Sequence, residues 1–107
     1  MNPDLRDFAE MDRVIHEPAR LLIVTILYAA ESVDFLYLLR ETGLSKGNIS
    51  THMAKLEQAE YLVVDKRFRG KIPHTVYRLT DKGRAAFETY HRRLKRIVDS
   101  AAGIVKP

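Results

Sequence analysis

The sequence has no cysteine. That excludes disulfides, thiolate catalysis and cysteine-ligated zinc, and it fits a reducing, cytoplasmic setting, where the chain is expected. Long apolar runs are also missing. The greasiest stretch, "LLIVTILYAA", is flanked directly by Arg20 and Glu31, too short for a membrane span and better read as a buried helix. The opening "MNPDLRDFAEMDRV" carries acids and no apolar core, unlike a secretory signal. There is no glycine-rich nucleotide fingerprint. His16, His52, His74 and His91 are scattered, with no pair at a zinc-binding spacing. Ser45, Ser50 and His52 lie near one another, but no carboxylate is placed to orient the histidine, and no two carboxylates make an acid–base pair. Catalysis, a cofactor, a metal and a membrane partner are therefore not expected. One further absence is informative: no acid interrupts residues 66 to 80.

What is present suits one globular domain over residues 1–107, with 46% hydrophobic and 30% charged residues. The formal charge is +4 and the pI about 9.5. That is only moderately basic, so the position of the charge matters more than its total.

Apolar spacing places the elements. Leu5, Phe8, Met11 and Ile15 recur at three and four residues and predict a short helix over 4–13. Pro18 suits the first turn of a helix running to about Ala30. "SV" at 32–33 could add a minimal strand. Asp34 is placed to N-cap a helix that ends near Gly43. Ser45 is placed to cap the next, Ser45–Ala59, in which Ile49, Met53 and Leu56 form one inward stripe. Two helices across a tight glycine-containing turn, about 34–59, outline a helix-turn-helix.

The period then changes to two. "YLVVDKRF" and "HTVYRLT" read as paired strands over about 61–79, joined by a loop "RGKIP". Thr80 or Asp81 can cap a last helix, about 81–99, whose Phe87, Tyr90, Leu94 and Ile97 form a continuous seam. The tail from Gly103 to Pro107 is expected to fray. The fold class is thus mainly α with a small β-hairpin, a winged helix-turn-helix with N- and C-terminal helices.

The exposed residue types of the third helix suit a duplex. Lys46 can meet a phosphate or the acceptors of guanine, and Asn48 can offer a donor and an acceptor to an adenine edge. Gly47 permits close approach, and Ser50, Thr51, His52 and Lys55 extend along the groove. Each has a plain alternative: Ser45 is first a cap, Asn48 and Ser50 can simply be solvated, and His52 can pack beside Met53. The hairpin carries Lys66, Arg67, Arg69, Lys71 and His74, suited to backbone contacts or entry into a minor groove. Its plain alternative is a solubilising hairpin.

"LSKGNISTHMAKLEQAEYLVV" and "RFRGKIPHTVYRLTDKG" together resemble the winged-helix transcriptional regulators related to the ArsR and MarR families, especially small single-domain members. The likeness covers roughly residues 14–99. It implies a dimeric, sequence-specific double-stranded DNA-binding regulator, with Ser45–Ala59 as recognition helix, 67–74 as wing and the terminal helix as pairing element. Glu60 departs from the pattern, which has glycine there. A glutamate would be strained in a left-handed cap.

The seam of the last helix is expected to pair with a second copy, joined by Leu5, Phe8 and Met11. Repression by promoter occupancy is the simpler regulatory expectation. No residue cluster names a small-molecule effector. The rival readings are a winged-helix module for another protein and a nonspecific nucleic-acid binder.

Overall fold

The computed structural model describes residues 3–105. Its elements run α1 (Pro3–Arg6), a 3₁₀ turn (Asp7–Glu10), α2 (Pro18–Ala30), β1 (Val33–Asp34), α3 (Phe35–Thr42), α4 (Lys46–Gln58), β2 (Leu62–Arg69), β3 (Ile72–Leu79) and α5 (Asp81–Val105). The N-terminal segment is less helical than its apolar spacing predicted. Asp12 Oδ1 accepts from the amides of Val14 and Ile15, a local turn that competes with helix. Glu17, before Pro18, is extended at φ −147°, as the proline ring demands. At the other end α5 continues through Gly103 to Val105, where fraying was expected. Lys106 and Pro107 lie outside the described residues.

Capping follows the chain closely. Glu17, Asp34 and Ser45 side chains accept from the amides of Arg20, Tyr37 and Asn48, starting α2, α3 and α4. Gly43 ends α3 at φ 69°, a left-handed turn that turns the chain into α4. The inward stripe of α4 is complete: Ile49 and Leu56 have no exposed surface and Met53 has 5%. They pack with Ile23 and Leu27 of α2, Leu38 of α3, and Leu62, Tyr77 and Leu79 of the sheet.

The sheet has the antiparallel order β1-β3-β2. Leu62 faces Leu79 and Arg69 faces Ile72, so the turn is only Gly70–Lys71, shorter than the "RGKIP" loop expected. Gly70 has φ 63°, which suits the first position of a type II′ turn. Pro73 is tolerated inside β3 because β1 pairs only with Val76 and Tyr77. At Pro73 the strand is an edge on that side, where no N–H is needed.

The end of α4 and the start of α5 are tied together. Tyr61 N donates to Leu56 O and Glu60 N to Glu57 O, the double bond pattern of a Schellman cap. Glu60 therefore keeps the left-handed conformation, at φ 65°, despite its Cβ. Its ion pair with Lys82, at 3.6 Å, is solvent-exposed and worth little. Glu60→Gly should therefore raise stability by about 1 kcal/mol, read as a higher urea midpoint. An unchanged or lower midpoint would show the strain to be absent.

A second apolar cluster joins Met11, Ile15, Tyr90 and Ile97, flanked by Leu5, Leu21 and Leu94. Arg93 donates to Glu10 O at 2.8 Å and Arg96 pairs with Asp7 at 3.0 Å, strapping the N-terminal segment to α5. The seam assigned to a partner is thus covered at its centre by the same chain. Met11, Tyr90 and Ile97 are at most 6% exposed. Phe87 packs on Tyr28, with ring centroids 4.8 Å apart, and Leu5 and Leu94 are half-buried, whereas Phe8 remains 47% exposed.

Candidate nucleic-acid interface

Because Ile49, Met53 and Leu56 hold α4 by one face, the opposite face is open. Ser45, Lys46, Gly47, Asn48, Ser50, Thr51 and Lys55 are all exposed. The Ser45 hydroxyl accepts from the Asn48 amide at 3.1 Å, which leaves the Asn48 side chain uncommitted to the cap. Thr51 Oγ1 donates back to Gly47 O at 3.0 Å and keeps its acceptor capacity. A Cβ built on Gly47 would meet nothing within 4 Å, so nothing in the fold requires glycine there.

His52 departs from the outward position expected of it. Its side chain is 20% exposed and its Nδ1 lies 3.2 Å from Arg20 Nη1 and 3.6 Å from Glu17 Oε2. Arg20 Nε in turn donates to Val14 O at 2.6 Å. The histidine thus joins α4 to the start of α2 instead of extending the polar face. Burial pushes the Glu17 carboxyl up, but the Arg20 and Ala19 amides and the neighbouring His52 and Arg20 outweigh it and hold it below its usual range.

In the wing, Lys66, Arg67, Arg69 and Lys71 are exposed. Arg67 is partly neutralised: its Nη2 lies 2.6 Å from Asp65 Oδ2, and that hydrogen bond holds the Asp65 carboxyl below its ordinary range. His74 is also committed within the chain. Its Nε2 lies 3.3 Å from Asp34 Oδ2, with 20% of its side chain exposed. The Tyr37 amide, first, and then His74, against partial burial, keep Asp34 ionised to lower pH than usual. His74 therefore fastens the hairpin to the N-cap of α3, which is a different task from the outward one expected.

Alternation along β2 and β3 sorts the wing by face. Arg67, Arg69 and His74 share one face with Val76, where they border a cleft of about 450 Å³ together with Tyr37 and Arg40 of α3. Neither Tyr37 nor Arg40 stood out in the sequence. Each is an ordinary exposed helix residue until the hairpin is folded beside it. Among the described residues no group of three or more His, Asp or Glu is placed to hold a metal ion, and no helix is long and apolar enough to cross a membrane.

Known proteins share this fold. The family model of the winged helix DNA-binding domain matches residues 19–98. An uncharacterized protein of Methanocaldococcus jannaschii is 32% identical over 79 residues, spanning 73% of this chain and 85% of that one. Among solved structures, the transcriptional regulator homologue protein from Pyrococcus horikoshii OT3 superposes with a TM-score of 0.85 at 23% identity, covering 94% of this chain and 98% of that chain. The YusO protein of Bacillus subtilis gives 0.74 at 17% identity, covering 96% and 70%. At such identities the structural likeness speaks for the fold, whereas the family match runs from the first turn of α2 well into α5. The chain belongs to the winged helix DNA-binding domain family.

Proposed function

We propose that the protein is a homodimeric, sequence-specific regulator of transcription that acts in the cytoplasm as a repressor by occupying promoter DNA. The observation that carries this reading is the uncovered polar face of α4, with Lys46, Asn48, Thr51 and Lys55 all open to an outside partner. Asn48 and Lys46 read base edges in the major groove, and Ser50, Thr51 and Lys55 extend the contact. Lys66, Arg69 and Lys71 of the wing hold the flanking backbone, and Arg40 and Tyr37 add contacts beside the same hairpin. Ser45 serves as the cap, and His52 and His74 position the elements without touching DNA.

The dimer uses the outer surface of the layer formed by α5 and the N-terminal segment. Phe8 is 47% and Val98 56% exposed there, outside the intramolecular cluster. A two-fold pair would set two copies of α4 against half-sites separated by roughly 34–36 Å.

Selection from a randomised duplex pool, followed by binding at several salt concentrations, tests the reading. A pseudo-palindrome with a steep salt dependence is expected. Recovery of no preferred sequence would reject specificity, and a monomeric mass in the presence of the selected duplex would reject the pair.

Gly47 supplies a sharper expectation. Its Cβ position is empty, so Gly47→Ala should stabilise the fold by up to about 1 kcal/mol. The same methyl would stand between α4 and a closely approaching duplex, so affinity should fall. Opposite signs in a melt and a titration support the contact. An unchanged affinity would remove Gly47 from the interface.

A further inference from the structure

The wing is not only cationic. Phe68 is 72% and Ile72 70% exposed, the two most exposed large hydrophobic residues among those described. They flank the Gly70–Lys71 turn, and cations lie beside them in the order Lys66, Arg67, Phe68, Arg69, Lys71, Ile72. The two apolar side chains stand on different faces, because Phe68 opposes Pro73 while Ile72 opposes Arg69.

Phe68 has the parity of Leu62 and Val64. Those two pack against the core that contains the buried stripe of α4. Phe68 therefore prolongs that face outward, beyond the core, on the side of the sheet where α4 lies. An aromatic ring this exposed buries little of its surface within the hairpin, where Pro73 stands opposite it. Between cations, it matches an occupant that is anionic at its rims and apolar within. The minor groove of a duplex has that form, with two phosphate rows and walls of sugar and base edges.

We propose that Phe68 is an apolar wedge that enters a minor groove at a base step, partly unstacks it and bends the duplex. Arg69 and Lys71 hold the phosphates on either side. This rests on the reading of the chain as a double-stranded DNA binder. It adds a source of sequence preference without base hydrogen bonds: the wing favours easily kinked pyrimidine–purine steps over stiff A-tracts.

The test uses the full chain and its selected duplex, with 2-aminopurine moved stepwise along the flank. Wild-type protein should raise the fluorescence at one step. Phe68→Ala should abolish that rise and weaken binding about tenfold, with no change in melting temperature. Phe68→Leu, still apolar, should keep most of both. Replacing the responsive step by an A-tract should penalise the wild type but not Phe68→Ala. Specific binding with no fluorescence change, and equal affinity for Phe68→Ala, would overturn the wedge and leave the proposed regulator intact. Absence of specific duplex binding by the wild type would overturn both. Two other results would assign Phe68 elsewhere and overturn the wedge: loss of binding to phosphatidylglycerol vesicles in Phe68→Ala with duplex binding untouched, or loss of self-association in that variant.

Discussion

Replacing Gly83 by alanine should cost the fold about 3 kcal/mol or more and lower the melting temperature by on the order of 10–25 °C. A Cβ at this position would sit 2.3 Å from the Tyr61 carbonyl oxygen and 2.9 Å from its Cα. Both are backbone atoms, so no side-chain rotation relieves the clash. Nor can the backbone shift freely. Tyr61 O accepts from Thr80 N at 3.0 Å. Thr80 Oγ1 donates to Glu60 O at 2.7 Å and accepts from Gly83 N at 2.9 Å. These bonds join the Schellman cap of α4 to the first turn of α5, so moving either strand of the crossing breaks polar contacts. Gly103 is the control. It lies in the same helix with nothing near its Cβ position, and Gly103→Ala should be neutral or stabilising by up to about 1 kcal/mol. If Gly83→Ala melted alongside the parent, the close approach of α5 to Tyr61 would not exist in solution.

Asn48→Ala should reduce discrimination between the selected site and a scrambled duplex by about 10- to 100-fold. The residue is exposed, and its role in the cap is played by its backbone amide, so the melting temperature should not move. The amide side chain can bond an adenine edge through both its groups, and alanine offers neither. Arg69→Ala provides the contrast. A wing cation that meets phosphate should, when removed, weaken specific and scrambled binding alike and lower the salt slope by about 1. Equal losses on both duplexes for Asn48→Ala would reject base reading by that residue.

The segment that forms α3 and α4 was largely legible because its signals are local. The stripe of Ile49, Met53 and Leu56 needs only the helical period to be recognised, and all three are buried. The caps at Asp34 and Ser45 need only a side-chain oxygen three residues before an unpaired amide, and both bonds form. The β-hairpin was visible as a change of period, but its turn was read too long. Proline suggested a loop, and only the short reach of β1 explains why Pro73 sits within a strand. Glu60 was recognisable as a departure, while the outcome, a left-handed glutamate, depended on the bonds around it.

The long-range contacts that the sequence did not show share one cause. His52 meets Arg20 across 32 positions and His74 meets Asp34 across 40. Both partners are ordinary charged residues in their own neighbourhoods. The seam of α5 was equally apparent as apolar, but periodicity says that a face must be covered and not what covers it. Here Met11 and Ile15 cover its centre.

By itself, then, the sequence determined the order of the main elements, the buried stripe of α4, the caps at Asp34 and Ser45 and the cation-rich hairpin, because each follows from residues within a few positions of one another; the buried face of α3 it did not, since Leu38 is buried there and Leu36 is exposed. The tertiary structure alone decided which surfaces meet: His52 on α2, His74 on the cap of α3, the N-terminal segment on α5, and Gly83 against Tyr61. Those pairings depend on how distant segments share one small core, and several apolar or charged surfaces compete for each place in it.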